Sequence, residues 1–229
     1  MSDESQALLW AVILVGGLSF VVALRKADRL ATTHARDLLH IGAGSWVFGL
    51  PFWHSAAVPI AITVIATILL ALVPLLAPRL SFVAAIERSV TGADERWSGL
   101  VFYSLSFAVM TFLAFRAPFP AAAALLGLAL GDGIGGLVGR RFGRHFFAAP
   151  WGKRKSLEGS ASVAIAAAVG GWLGSLLFAA GATAPVLIGI GVVASVAEAL
   201  APRTSDNVVV PAAVYLYASA VMGPAAPAL

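Results

Sequence analysis

The chain has 229 residues, 60% of them hydrophobic and only 11% charged, with a mean hydropathy of +0.93 and no cysteine. Soluble globular domains carry about 25% charged residues, so the composition excludes an ordinary soluble enzyme, and the missing thiols exclude disulfides and cysteine metal sites. The formal net charge of +4 would suggest nucleic acid on a soluble protein; here it fits basic loops against anionic lipid headgroups, with the bilayer as partner and no nucleic acid.

Apolar runs of the about 17–25 residues needed to cross a ~30 Å hydrocarbon core recur along the chain. In order they predict eight spans, at 7–24, 38–54, 57–76, 99–115, 119–138, 160–180, 183–200 and 207–224. The expected architecture is all-α, one polytopic transmembrane helix bundle forming a single domain over residues 1–229. The second run is short and begins near His40, and the last contains Pro211. Between the third and fourth runs, a short interfacial helix is expected at Ser81–Val90. The acidic opening MSDESQ, with no cleavage site after the first run, predicts no cleaved signal peptide. Eight spans place every lysine and arginine except Arg116 on one side. Positive loops mark the cytoplasmic face, which leaves both termini outside, as in a multi-pass protein of a prokaryotic plasma membrane.

The ionisable residues gather on that basic side. After FPAAAALLGLAL comes GDGIGGLVGRRFGRH (131–145), and KRKSLEGSAS follows at 153–162. Gly131, Gly135, Gly139 and Gly143 recur every four residues; such a stripe serves close helix packing or the close approach of a phosphate. The match to G-x-G-x-x-G at Gly131, Gly133 and Gly136 follows a membrane helix rather than a strand, so a dinucleotide fold is rejected, and no P-loop sequence occurs. Asp132, near the end of a span, needs a partner, water or a cation. One reading is a structural ion pair; the other is magnesium, which takes one or two carboxylates and shares substrate phosphates. Arg140, Arg141, Arg144, Lys153, Arg154 and Lys155 suit phosphate contacts, although basic residues beside a membrane also follow from topology alone. Glu158 lies one turn from Lys155, to pair with it or to order it. His40, four residues after Arg36, is scaffold or an acid–base group. Asp206 and Asn207 are a helix cap or part of a site, and Glu198 is an intramembrane acid near the end of the seventh run.

Taken together, GDGIGGLVGRRFG and KSLEGSAS resemble the nucleotide-binding signature of the CTP-dependent lipid kinases. That group includes dolichol, phytol and CTP-dependent diacylglycerol kinases and is distantly related to the CDP-diacylglycerol synthases. RDLLHIGAG resembles the family's N-terminal Arg-Lys-x-x-His element, and Glu198, Arg203, Asp206, Asn207 and Pro211 resemble its C-terminal element. Two positions depart: Asp37 stands where the family has lysine, and Gly136 where many phytol-kinase-like members carry a second acid. The resemblance implies magnesium-dependent transfer of the γ-phosphate of CTP to an isoprenoid alcohol such as phytol, a polyprenol or dolichol, at the cytoplasmic membrane boundary.

It further implies a signature over 131–162, with Asp132, Lys155 and Asp206 catalytic and Asp132 and Glu158 on magnesium. Gly131, Gly135, Gly139, Arg140, Arg141, Gly143, Lys153, Lys155, Ser156, Glu158, Gly159 and Asn207 would bind the nucleotide. Arg36, His40 and Glu198 are further candidates, and the general base is open among Asp206, Glu198 and His40. Three alternatives stand beside this reading: diacylglycerol as acceptor, a cytidylyltransferase releasing pyrophosphate, and a transporter with Asp132 and Glu198 on its path.

Overall fold

The computed structural model describes residues 1–90, 97–202 and 204–223. Among these the chain forms α1 (Asp3–Lys26), α2 (Thr32–Ala43), a 3-10 stretch (Gly44–Phe52), α3 (Ala57–Leu76), α4 (Ser81–Val90), α5 (Ser98–Ala114) and α6 (Pro118–Phe142). A hairpin of β1 (Phe146–Ala149) and β2 (Lys153–Ser156) precedes α7 (Leu157–Leu177), α8 (Ala184–Leu200) and α9 (Asp206–Met222). Arg203 of the C-terminal element, and residue 224 of the last expected span, lie outside the described residues.

The helical, membrane-embedded architecture agrees with the sequence reading, and the short helix expected at Ser81–Val90 is α4. Helices α1, α3, α6 and α7 are long and apolar enough to cross a membrane. Helices α5, α8 and α9 are apolar and have 17 residues each, about 26 Å at 1.5 Å per residue, the lower limit of the spanning range. The second expected span is composite: the 12-residue α2 continues into the 3-10 stretch, which contains Pro51.

Helix α6 is the axis of the bundle and packs against α2, α5, α7, α8 and α9. Its residues Phe119 to Ala129 are buried without interruption, and most of them are alanine, glycine or leucine. Small residues let backbones approach in a membrane, where packing rather than the hydrophobic effect holds helices together. A Cβ on Gly170 of α7 would stand 2.9 Å from the Leu126 carbonyl carbon, and one on Gly174 would stand 3.4 Å from the Ala123 nitrogen. Helices α1 and α3 lie at the rim with most of their surface exposed, as lipid-facing helices should.

The hairpin corrects a purely helical reading of residues 146–156. Its strands pair antiparallel, with Phe147 opposite Lys155 and Ala149 opposite Lys153. The turn passes through Trp151 (φ 65°) and Gly152 (φ 70°). Two four-residue strands are too short to stand alone. This pair is tied down by the Leu157 N–H to the His145 carbonyl (2.9 Å) and by the Trp151 indole N–H to the Leu200 carbonyl (2.9 Å).

Candidate active site

Asp132 and His40 meet because α2 lies almost against the α6 backbone. A Cβ on Gly133 would stand 3.3 Å from the Asp37 carbonyl oxygen, and one on Gly44 would meet the Ala129 methyl at 2.8 Å. This close crossing brings His40 Nδ1 to 2.8 Å from Asp132 Oδ2. The imidazole is 3% exposed and the carboxylate 21%. Tyr103 of α5 covers the ring, stacked at 4.1 Å with an interplanar angle of 12°, and its hydroxyl donates to the His40 carbonyl at 2.7 Å. A carboxylate can only accept, so Nδ1 carries the proton shared with Asp132, and in the neutral ring Nε2 presents a lone pair. That buried Nε2 has no hydrogen-bond partner. Arg36 and Lys155 are close enough to act on Asp132 electrostatically.

Alternation along β2 puts Lys153 and Lys155 on one face and Arg154 on the other. Lys153 Nζ donates to Asp206 Oδ2 at 3.3 Å, and Lys155 Nζ pairs with Glu198. Arg154 instead sits over the Phe146 ring, 4.5 Å from its centroid. The Lys155 ammonium is pushed below the ordinary lysine range by burial first and by Lys153 second; Asp206 and Asp132 oppose the shift. The hairpin thus carries two lysines to the C-terminal end of α8 and the N-terminal end of α9. Glu198, the first acid of the C-terminal element, is the partner of Lys155.

The departure at Asp37 also acquires a partner, since buried Asp37 pairs with Arg140. Arg141 is exposed, 5.7 Å from the Phe142 ring centroid. Asn207 ties α9 to α5, its amide donating to the Gly99 carbonyl (2.9 Å) and its own carbonyl accepting from Ser106 Oγ (2.6 Å). Ser156 caps α7 by accepting from the Gly159 N–H at 3.1 Å. The glycine stripe faces α7: a Cβ on Gly131 would meet Val163 at 3.5 Å, and one on Gly139 would meet the Gly159 Cα at 3.5 Å. The close approach these glycines permit is therefore between helices.

The packing of α6 on α7 sets Asp132 and Glu158, both expected on magnesium, at different levels of the bundle. Gly131 lies beside Val163, whereas Gly139 lies beside Gly159 and Ser156, so Glu158 stands about two helical turns from Asp132 along the bundle. There its carboxylate accepts from the Arg144 N–H (3.0 Å) and His145 N–H (3.3 Å), and meets His145 Nδ1 at 2.6 Å. Asp132 is engaged by His40, Asp37 by Arg140, Glu198 by Lys155 and Asp206 by Lys153. No group of three His, Asp or Glu among the described residues could hold a metal ion. Magnesium held partly by substrate phosphates would need only one or two carboxylates from the protein, and Asp132 would supply one.

The structure therefore gathers Lys153, Lys155, Glu198 and Asp206 where β2 meets the ends of α8 and α9, sets the His40–Asp132 pair of α2 and α6 within electrostatic reach of Lys155, and leaves Glu158 at the Arg144–His145 turn. Sequence reasoning missed Tyr103, the Asp37–Arg140 pair and His145. Only Tyr103 left a signal, a polar-tipped ring inside an apolar run, which needs a hydrogen-bond partner when buried.

No family model matches the chain, and no solved structure matches it. It is 31% identical over 216 residues to a phytol kinase of Synechocystis sp., an alignment that covers 89% of this chain and 83% of that protein. With that identity along nearly the whole length of both proteins, the chain belongs to the phytol kinase family.

Proposed function

We propose that the protein is a lipid kinase that transfers the γ-phosphate of CTP to the hydroxyl of an isoprenoid alcohol, with magnesium arriving on the nucleotide's own phosphates. The observation that carries this reading is the pair of lysines, Lys153 and Lys155, set on carboxylates at the ends of α8 and α9, with the buried His40–Asp132 pair within electrostatic reach of Lys155. Phosphoryl transfer depends on positioning and charge stabilisation. In this reading Lys153 and Lys155 turn from Asp206 and Glu198 to the triphosphate when the nucleotide binds. The two carboxylates hold the ammonium groups in place until then, so little side-chain ordering is left to the moment of binding. Arg140, held by Asp37, borders the same end of α6.

The test is a product assay on detergent-purified protein with magnesium, offering CTP, UTP or ATP and a panel of lipid alcohols: phytol, longer polyprenols and diacylglycerol. The expected products are CDP and a prenyl monophosphate. Release of pyrophosphate would make the protein a cytidylyltransferase, phosphorylation of diacylglycerol alone would move the acceptor class, and solute flux in proteoliposomes without nucleotide turnover would make it a transporter.

A further inference from the structure

Lys153, Arg154 and Lys155 follow one another in the chain, yet the hairpin sends them to opposite faces. The inner face carries Phe147, Ala149 and the two lysines, all buried or half-buried, and its cations meet Asp206 and Glu198. The outer face carries Phe146, Ala148 and Arg154, all exposed, with Ala148 directly opposite Arg154. Arg154 lies over the Phe146 ring and pairs with no carboxylate among the described residues. Arg141, at the end of α6, repeats the arrangement over the exposed Phe142 ring and likewise pairs with no carboxylate there. Glu158, the acid that follows the hairpin, is taken up by the Arg144 and His145 N–H groups and by the His145 ring.

The hairpin joins α6 to α7, both long and apolar enough to cross a membrane. Strands of four residues reach only about 13 Å, so the hairpin stays against the polar headgroups that flank the hydrocarbon core. At that depth aromatic rings are favourably placed, and arginine extends its charged tip past an apolar stem. We propose that the outer face of the hairpin, with Arg141 and Phe142 beside it in the chain, is a docking surface for anionic phospholipid headgroups of the surrounding leaflet. The phenyl rings enter the interface, and each guanidinium, unopposed by a carboxylate, donates to a lipid phosphate. Each arginine favours anionic over neutral headgroups about fivefold. The hairpin is thereby held from both sides, by the Trp151 and lysine contacts within the protein and by lipid on the outer face.

The chain contains no cysteine, so Ala148→Cys gives a single attachment point for an environment-sensitive fluorophore on the outer face. The labelled protein is placed, one copy per disc, in nanodiscs of phosphatidylcholine alone or of an equal mixture with phosphatidylglycerol. Exposure of the label is read by quenching with acrylamide, a neutral quencher that the surface charge does not repel. Anionic lipid should lower the quenching constant about twofold or more, and salt at about 0.5 M should undo much of that change by screening. Arg141→Gln/Arg154→Gln should give the same quenching in both lipids, whereas Arg141→Lys/Arg154→Lys, which keeps both charges, should retain the response. Circular dichroism separates loss of fold from loss of docking; should the glutamine pair not fold, the two lipids and the salt dependence of the unsubstituted surface decide alone. Equal quenching in the two lipids overturns the proposal, as does a lipid response that survives in a folded glutamine pair. If magnesium and CTP shield the label where anionic lipid does not, and the glutamine pair loses that shielding, the arginines serve the nucleotide and the docking surface is refuted. No step of the measurement requires phosphoryl transfer, so its outcome is independent of the kinase reading.

Discussion

Replacing Lys155 with methionine separates its structural duty from its catalytic one. The side chain of Lys155 is 24% exposed and that of its partner Glu198 only 10%, so methionine leaves a largely buried carboxylate without its cation. Breaking a buried pair in this way costs about 3–5 kcal/mol; the partial exposure of the lysine end reduces the expectation to about 2–3 kcal/mol. For a chain of this length each kcal/mol moves Tm by about 2–4 °C, so Lys155→Met should unfold roughly 4–12 °C below wild type, read by circular dichroism in detergent. The double variant Lys155→Met/Glu198→Gln leaves neither charge behind and should recover most of the loss. It should nevertheless transfer no phosphate, because the cation for the triphosphate is gone. An unchanged Tm in the single variant would refute the energetic reasoning. Wild-type turnover in the double variant would show that Lys155 only supports the hairpin.

Because burial depresses the Lys155 ammonium, the charged form is lost as pH rises through a value below the ordinary 10.5. Activity should therefore fall on the alkaline side earlier than an unshifted lysine would allow, and Lys155→Arg, always charged, should move that limb upward; a limb that does not move refutes the role. Asp132→Asn keeps the side chain's shape but removes the charge opposite His40, and kcat should drop about 10²-fold or more; near-normal turnover of the folded variant would show that the pair has no part in the chemistry. Gly170→Ala puts a methyl against the α6 backbone and should lower stability by about 1–3 kcal/mol, measured by the same thermal scan; an unaltered Tm would mean that α6 and α7 give way freely.

How far the site was legible depends on the reach of each interaction. Lys155 and Glu158 sit beside their motif in the sequence, and the resemblance singled them out, but their partners lie elsewhere. Lys155 finds Glu198 across 43 positions, Asp37 finds Arg140 across 103, and His40 finds Asp132 across 92. Glu158 shows the opposite error. Helical spacing placed it beside Lys155, yet β2 ends at Ser156, so no helical turn joins the two and the carboxylate turns to Arg144 and His145 instead. The hairpin escaped notice for a related reason: four-residue strands leave too little alternation to stand out from apolar loop residues.

Hydropathy is a local property summed over a window, and the sequence alone therefore determined that this is a helical membrane protein, roughly where its helices run, and that α4 lies between the third and fourth long runs. The motifs, being contiguous, were enough to suggest the family. Which acid holds which base was decided only when α6 became the axis and glycines 44 and 133 let α2 close upon it. Burial then acted on the outcome: in an apolar surrounding a charge must find whichever opposite charge the packing brings near, and that neighbour is a fact of three dimensions.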